Sequence, residues 1–472
     1  MRKQKEAANG VKHKVLILGA GFVVPPIIGY LTRDGDIKVT VVSNLMSDLE
    51  SVKKTYPNIS VKQLNILQDT EGLGKLVAEH DLVMSMIPWK FHAQVFPVCI
   101  QHKKHILTAS YLSPTLRAME QQIKDAGITA VMEVGLDPGI DHMLTMECFD
   151  ETYAKGGKII SYESYTGGLP APEYADNPLR YKFSWSPEAA MTTVLNGAIY
   201  LEDGKVGLVK EIPPGGALMD HAHEMNDLVG FNLEGYPNRD SISYKDIYKL
   251  KDCHTVIRGT LRYKGFTKVI KALINLGFMD QNPNDKLAPS CPPMSWVCVA
   301  LIIFKEVTCV VLGLDPKISV AAVEAAIRKK LNMPEETVQA VLTLGILGEK
   351  KAKLCGNPFS TLSVHFADIM AYGPNERDLI VMSHQIGVEW PDKRRELKTV
   401  RLVIYGEGGK GRGGLAMSRT VGLPASIAAR MVLNGEIKQK GFVLPFAPEV
   451  YKPILERLKK EGIEASETTT TL

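Results

Sequence analysis

Four short β-prone apolar runs recur early in the chain with helical patterns between them, and this alternation restricts the fold more than any other feature. The runs are Val15 to Leu18, Ile37 to Val42, Asp81 to Ile87 and His105 to Ser110. Strands alternating with helices predict a mostly parallel sheet covered on both faces, an α/β fold. The first run meets Gly19-Ala20-Gly21, and an apolar helix-like segment follows to Leu31. The clearest helix is Ser113 to Ala126: Ser113 caps it, Pro114 suits its first position, and Leu116, Met119 and Ile123 share one face. A further apolar run, Thr129 to Val134, leads into Gly135-Leu136-Asp137-Pro138-Gly139-Ile140-Asp141-His142. Polar residues therefore crowd a strand end, the edge at which ligands sit in open α/β sheets.

With 472 residues the chain is too long for one ordinary core, and two or three domains are expected. A net charge of +4 spread along the chain gives no case for nucleic acid. The longest apolar runs, such as Trp296 to Phe304, are too short to span a bilayer, so no membrane partner is expected. The seven cysteines are scattered and form no C-x-x-C pair, which argues for reduced thiols rather than disulfides or zinc. Met1 to Lys14 reads as a flexible tail without a signal core, and Glu467 to Leu472 as a frayed end.

After Asp150 Gly, Pro, Tyr and polar residues become dense, as in Gly167 to Pro172 and Tyr236 to Asp240, the texture of strands joined by long ordered loops. Lys268 to Gly348 is helical in pattern: Ser319 caps Val320 to Leu331, and Pro334-Glu335-Glu336 starts another helix. Lys398 to Tyr405 returns to strand character, Gly406 to Gly414 reads as a mobile loop, and Pro424 to Val432 and Pro448 to Lys460 as closing helices. His221 and His223, with Asp220, Glu224 and Asp227, match no metal motif, and no metal is expected.

The glycine turn departs from G-x-G-x-x-G, because Val24 occupies the third glycine position. The first glycine permits the tight turn and the second lets a pyrophosphate approach the backbone, so Gly19 and Gly21 still predict a nucleotide site. An acid after the second strand would hold the ribose of NAD, and an Arg would favour NADP. Ser43-Asn44 is neutral on both counts, and the lack of a basic residue inclines the reading to NAD, with NADP as the alternative.

Thr108 to Tyr111, Glu133 to His142, Gly167 to Pro172, Asn177 to Trp185, Tyr236 to Ser241 and Arg258 to Gly265 occur in that order. Together they resemble the glutamate-forming saccharopine dehydrogenase family, over about Lys14 to Gly462, and look closer to the C-terminal half of the animal aminoadipic semialdehyde synthases. The resemblance implies a Rossmann-type doubly wound parallel sheet over 14–136, completed by about 440–465. It further implies a mixed α/β substrate domain (137–267 and 360–439) and a small helical insertion (268–359). The implied reaction takes saccharopine, NAD(P)+ and water to L-glutamate and 2-aminoadipate 6-semialdehyde. The alternatives are a cofactor-binding homologue without turnover and an imine reductase acting on polyamine precursors. The implied location is cytoplasmic, or the mitochondrial matrix for an animal-type bifunctional enzyme, and a homodimer is compatible with the architecture.

By this resemblance Ser110, Tyr111, Asp137, Arg239, Thr260, Leu261 and Arg262 bind substrate. Saccharopine carries three carboxylates, which suit the planar fork of arginine; the plainer reading of each Arg is a structural ion pair. Asp137 is given an electrostatic and positioning role, with general base as the alternative and a turn cap before Pro138 as the plainer reading. Tyr111 orients a carboxylate or water, unless it is a core tyrosine with a satisfied hydroxyl. Asp141 and His142 are weaker candidates, and Asp141 is as well explained as a cap. The resemblance places Ala20, Gly21, Phe22, Val23, Val42, Ser43, Asn44, Asn65, Ile66, Ile87, Thr108, Gly135, Leu136, Asp137 and Trp185 at the cofactor, where Trp185 walls the nicotinamide pocket or packs ordinarily. Three residues depart from the family pattern: Thr166 replaces a Cys, and Asn44 and Asn65 each replace an Asp.

Overall fold

The computed structural model describes residues 10–202, 209–304 and 316–472. Residues 1–9 of the expected tail, and Cys309, lie outside the described residues. The chain packs into two compact units, Met1–Ile159 with Gly387–Leu472, and Ile160–Ile386.

In the first unit the alternation becomes a βα series. It runs β1 (His13–Leu18), α1 (Val24–Thr32), β2 (Ile37–Ser43), α2 (Met46–Thr55), β3 (Ser60–Gln63), α3 (Thr70–Ala78) and β4 (Leu82–Ser85). It continues with α4 (His92–Gln101), β5 (His105–Leu107), α5 (Pro114–Arg117), α6 (Glu120–Asp125), β6 (Thr129–Val131) and α7 (Ile140–Ala154). The strands line up as β6-β5-β4-β1-β2-β3, every pair parallel, with strand Gly441–Val443 added parallel to β6. The order reverses between β1 and β4, and a Rossmann-type sheet binds its ligand at the carboxyl ends beside that reversal. Val15, Leu16, Ile17 and Leu18 are all fully buried, as a strand covered on both faces requires.

Several local expectations change. Ser113 does cap, its Oγ accepting the Leu116 N–H at 3.3 Å, but two short helices replace the single predicted one and the chain breaks at Ala118-Met119. The closing helix is Ala416–Leu433, eight residues longer at its start than predicted, because Pro424 sits inside it rather than at its first turn. Gly422 of that helix lies so close to α1 that a Cβ would come within 2.6 Å of the Val23 carbonyl. The close packing usually allowed by a third motif glycine is thus supplied by a glycine on the facing helix, and Val24 is tolerated. The expected frayed end is instead an ordered strand, Ser466–Thr471, paired antiparallel with Arg395–Tyr405. A run of threonines favours that extended form.

The second unit holds a mixed sheet. Strand Thr255–Tyr263 lies parallel to β7 (Lys158–Pro170) on one side and antiparallel to Leu233–Pro237 on the other. Helices Phe266–Leu276, Trp296–Ile303, Pro316–Lys330, Glu335–Leu342 and Pro358–Ile369 follow in the chain. Ser319 falls inside its helix rather than at the cap. Leu273, Trp296, Val299, Val338 and Phe366 share one buried core with Leu261, Leu233 and Tyr165 of the sheet.

Candidate functional site

In the first unit the candidates gather at one edge. Gly19, Ala20, Gly21, Phe22 and Val23 follow β1; Val42, Ser43 and Asn44 close β2; Asn65 and Ile66 follow β3; Ile87 follows β4. Thr108, Ser110 and Tyr111 follow β5, and Gly135, Leu136 and Asp137 follow β6. Because all six strands are parallel, each of these is at the carboxyl edge. Leu45, Met46, Leu67 and Trp89 also follow these strand ends and are exposed.

The glycine turn fits a dinucleotide. Gly19 has φ of 104°, and a Cβ there would lie 2.5 Å from the Met86 carbonyl oxygen, so the turn demands glycine. At Gly21 a Cβ would meet nothing within 4 Å. The protein leaves that side of the backbone open, as a pyrophosphate approach needs. Ser418 of helix Ala416–Leu433 donates to the Phe22 carbonyl at 2.7 Å and fixes the turn from behind.

The turn after β6 is tightly folded. The Gly135 N–H donates to the Pro138 carbonyl at 2.9 Å, and a Cβ on Gly139 would lie 2.1 Å from the Gly135 oxygen. The loop therefore requires its glycines and holds Asp137 in a fixed place. The Tyr111 hydroxyl donates to Asp137 Oδ1 at 2.6 Å. A short bond to a carboxylate is among the stronger hydrogen bonds and orients both groups. Beneath the loop Asp141 Oδ1 accepts the Gly139 N–H at 2.6 Å, a bond from the first turn of α7 back to the residue before it. His142 Nε2 lies 3.1 Å from Glu133 Oε2, and Glu133 Oε1 accepts the Leu112 N–H at 2.9 Å. Asp141 and His142 are fully buried, and they brace the turn from inside.

One residue at this edge escaped the sequence reading. His92, the first residue of α4, is buried. Its Nδ1 lies 3.0 Å from Ser85 Oγ; its Nε2 lies 2.9 Å from Ser110 Oγ and 3.2 Å from Thr108 Oγ1. Burial holds its pKa well below the usual histidine range, at about 4. The available signal was a histidine opening a helix just after an apolar strand.

In the second unit the candidates lie within strands. Thr260 pairs laterally with Thr166 of β7 and with Tyr236, while Arg262 pairs with Glu234. Lateral partners share a face and residues two apart along a strand share it too, so these five residues form one polar face. Asn238 Nδ2 donates to Thr260 Oγ1 at 3.0 Å. Leu261 points to the opposite face and is fully buried, leaving only its backbone for polar contact. Arg239 is exposed, with φ of 60°, on a short strand beside Ala198. Trp185 packs against the core of its unit, the plainer of its two readings.

Arg262 is the unusual member. Its side chain is buried, its Nη1 donates to the Leu261 carbonyl at 2.8 Å, and its guanidinium lies 4.8 Å from the Tyr181 ring centre and 5.3 Å from that of Phe266. The facing Glu234 carboxylate is taken up by the N–H groups of Gly265 and Thr267, where helix Phe266–Leu276 begins. Among the described residues no carboxylate pairs with Arg262, and its buried Nε has no acceptor. Thr166 Oγ1, Tyr236 Oη and Asn238 Oδ1 are likewise buried without a hydrogen-bond partner. Among the described residues no cluster could hold a metal ion, and no helix is long and apolar enough to cross a membrane.

Comparison with known proteins gives this edge and this face a family. A family model described as the saccharopine dehydrogenase C-terminal domain matches residues 135–463, and one described as the saccharopine dehydrogenase NADP binding domain matches residues 15–131. The chain belongs to the saccharopine dehydrogenase family. Within that family, the mitochondrial alpha-aminoadipic semialdehyde synthase of Bos taurus is 42% identical over 98% of this chain and 49% of its own length. The saccharopine dehydrogenase of Saccharomyces cerevisiae named NADP(+), L-glutamate-forming is 38% identical over 96% of this chain and 99% of its own length. The chain thus spans about half the length of the mammalian relatives and nearly all of the yeast one. The crystal structure of the apo yeast saccharopine dehydrogenase (L-Glu forming) superposes with a TM-score of 0.82 at 36% identity, covering 97% of this chain and 100% of that one.

Proposed function

We propose that the chain is an L-glutamate-forming saccharopine dehydrogenase that uses NADP+. In this reaction saccharopine, NADP+ and water give L-glutamate, 2-aminoadipate 6-semialdehyde, NADPH and a proton. The observation that carries the reading is the buried guanidinium of Arg262, which has no carboxylate partner among the described residues. An unpaired buried charge is costly, so a ligand carboxylate is its natural complement. Saccharopine offers three. The relatives' names and the match along the yeast enzyme support the substrate's identity.

The carboxyl-edge residues from Gly19 to Val23, Val42 to Asn44, Asn65, Ile66, Ile87, Thr108, Gly135 and Leu136 would hold the dinucleotide. A bound nicotinamide would supply the acceptor for the hydride that leaves the carbon beside the secondary amine. NADP+ replaces the NAD favoured by the sequence reading. The printed names of the family model and of the fungal relative support this, and Ser43-Asn44 places no carboxylate at the end of β2 to repel a 2′-phosphate.

Asp137 stabilises positive charge as the C–N bond becomes an iminium, an electrostatic contribution from a preorganised group. Tyr111 keeps its carboxylate aimed. Ser110, Arg239, Thr260, the Leu261 backbone and Arg262 hold the carboxylates. Thr166 supplies a hydroxyl where the family pattern has a thiol. The test is an initial-rate assay following reduced nicotinamide on addition of saccharopine with either cofactor. Turnover with NADP+ well above NAD+ is expected. Cofactor binding without turnover would instead favour a non-catalytic homologue.

A further inference from the structure

His92 bridges the ends of β4 and β5 through hydroxyl groups, and no other part of the proposed mechanism uses it. Its ring touches Ser85 on one side and Ser110 and Thr108 on the other. We infer that His92 is a positioning residue that sets the direction of the Ser110 hydroxyl proton toward the substrate. This rests on the proposed function, in which Ser110 contacts saccharopine.

A neutral imidazole carries one N–H and one bare nitrogen. Thr108 Oγ1 accepts the Ser110 backbone N–H at 3.3 Å, which fixes Thr108 against the loop. Two arrangements of the relay then remain. If Ser85 donates to Nδ1, the Nε2–H donates to Ser110 Oγ, and the Ser110 proton is directed away from the ring toward an acceptor oxygen. If Nδ1–H donates to Ser85, the bare Nε2 accepts a hydroxyl proton, and when it takes it from Ser110, the nearer group at 2.9 Å against 3.2 Å for Thr108, Ser110 presents only lone pairs outward. Only the Nε2–H ring obliges Ser110 to keep its proton for an acceptor outside the relay. A substrate with three carboxylates needs the donor, so the first arrangement is the competent one. Ser85 is fully buried at its strand end, where its hydroxyl is held within reach of Nδ1.

Asparagine and glutamine separate this role from packing. The Asn amide overlays Nδ1 and reaches Ser85; the Gln amide overlays Nε2 and reaches Ser110. His92→Asn should lower kcat/KM for saccharopine by about tenfold, the size of one lost hydrogen bond to a charged group, while KM for NADP+ is unchanged. His92→Gln should restore most of that loss. Combining His92→Asn with Ser110→Ala should cost no more than Ser110→Ala alone, because both remove the same interaction. Equal losses in the Asn and Gln variants, or additive losses in the double variant, would overturn the inference. If Ser110→Ala itself leaves kcat/KM unchanged, the placement of Ser110 at the substrate fails instead. Should His92→Asn not fold, Ser85→Ala removes only the Nδ1 anchor: a loss in the same parameter supports the relay, and unchanged kinetics contradict it.

Discussion

The carboxyl edge of the parallel sheet and the polar face of the mixed sheet present candidate residues in opposite conditions. At the edge, hydrogen bonds close among the protein's own groups: Tyr111 with Asp137, and His92 with Ser85, Ser110 and Thr108. On the face, Arg262 Nε, Tyr236 Oη, Asn238 Oδ1 and Thr166 Oγ1 are buried with no partner. Buried polar groups are nearly always satisfied, so a cluster of exceptions marks a place where something else completes the set. The difference teaches that the fold itself satisfies the polar groups at the carboxyl edge, while it leaves those on the mixed-sheet face without partners, the condition the proposed substrate contacts require.

The largest expected effect breaks the rigid side. Asp137→Asn keeps an acceptor for Tyr111 but removes the charge. A fall in kcat of roughly 10²–10³-fold is expected, the usual cost of losing one preorganised electrostatic group, with KM for NADP+ little changed. Steady-state kinetics check it; a change confined to KM would make Asp137 a binding residue only.

A pH experiment sharpens the same side. His92 has a folded pKa of about 4 because burial disfavours its charged form, against about 6.5 when unfolded. Between these values the unfolded chain binds a proton that the folded chain does not. Stability from this group is therefore complete above pH 6.5 and is lost as pH falls toward 4, by about 3 kcal/mol in all. Denaturant unfolding of the wild type and of His92→Gln at both pH values isolates it, because the other buried histidines cancel in the difference. A difference that does not change with pH would mean that His92 is solvated.

The two regions also differed in how far they could be read from sequence. Parallel strands covered on both faces leave continuous apolar runs, and residues just beyond each run fall at the carboxyl edge of the sheet without further knowledge. Gly19, Asn44, Thr108 and Asp137 were legible for that reason. His92 was not, since one histidine on a helix gives no local sign that two other strand ends converge on it. Arg262 was named only through family resemblance: its burial depends on Tyr181 and Phe266, and its lack of a partner depends on Glu234 being committed to a helix start. The strand Ser466–Thr471 was missed because its pairing partner is the distant strand Arg395–Tyr405, where Val400 lies opposite Glu467 and Lys398 opposite Thr469; the Lys398 ammonium also donates to Glu467 Oε1 at 2.7 Å. The break at Ala118-Met119 lay inside a regular apolar pattern, which periodicity reads as one helix.

The open side yields the smallest expected energy and the most direct test. Arg262→Met replaces the buried cation with an apolar chain of similar reach. Losing a charged hydrogen-bond contact should raise KM for saccharopine by an amount equivalent to roughly 1.5–3 kcal/mol, with KM for NADP+ unaltered. Thermal stability should hold or rise, since a buried unpaired charge has been removed. Measured together, a large KM effect with an unchanged or higher Tm is the predicted result. A lower Tm with an unchanged KM would contradict the account, because Arg262 would then be a structural cation and not the receptor for a substrate carboxylate.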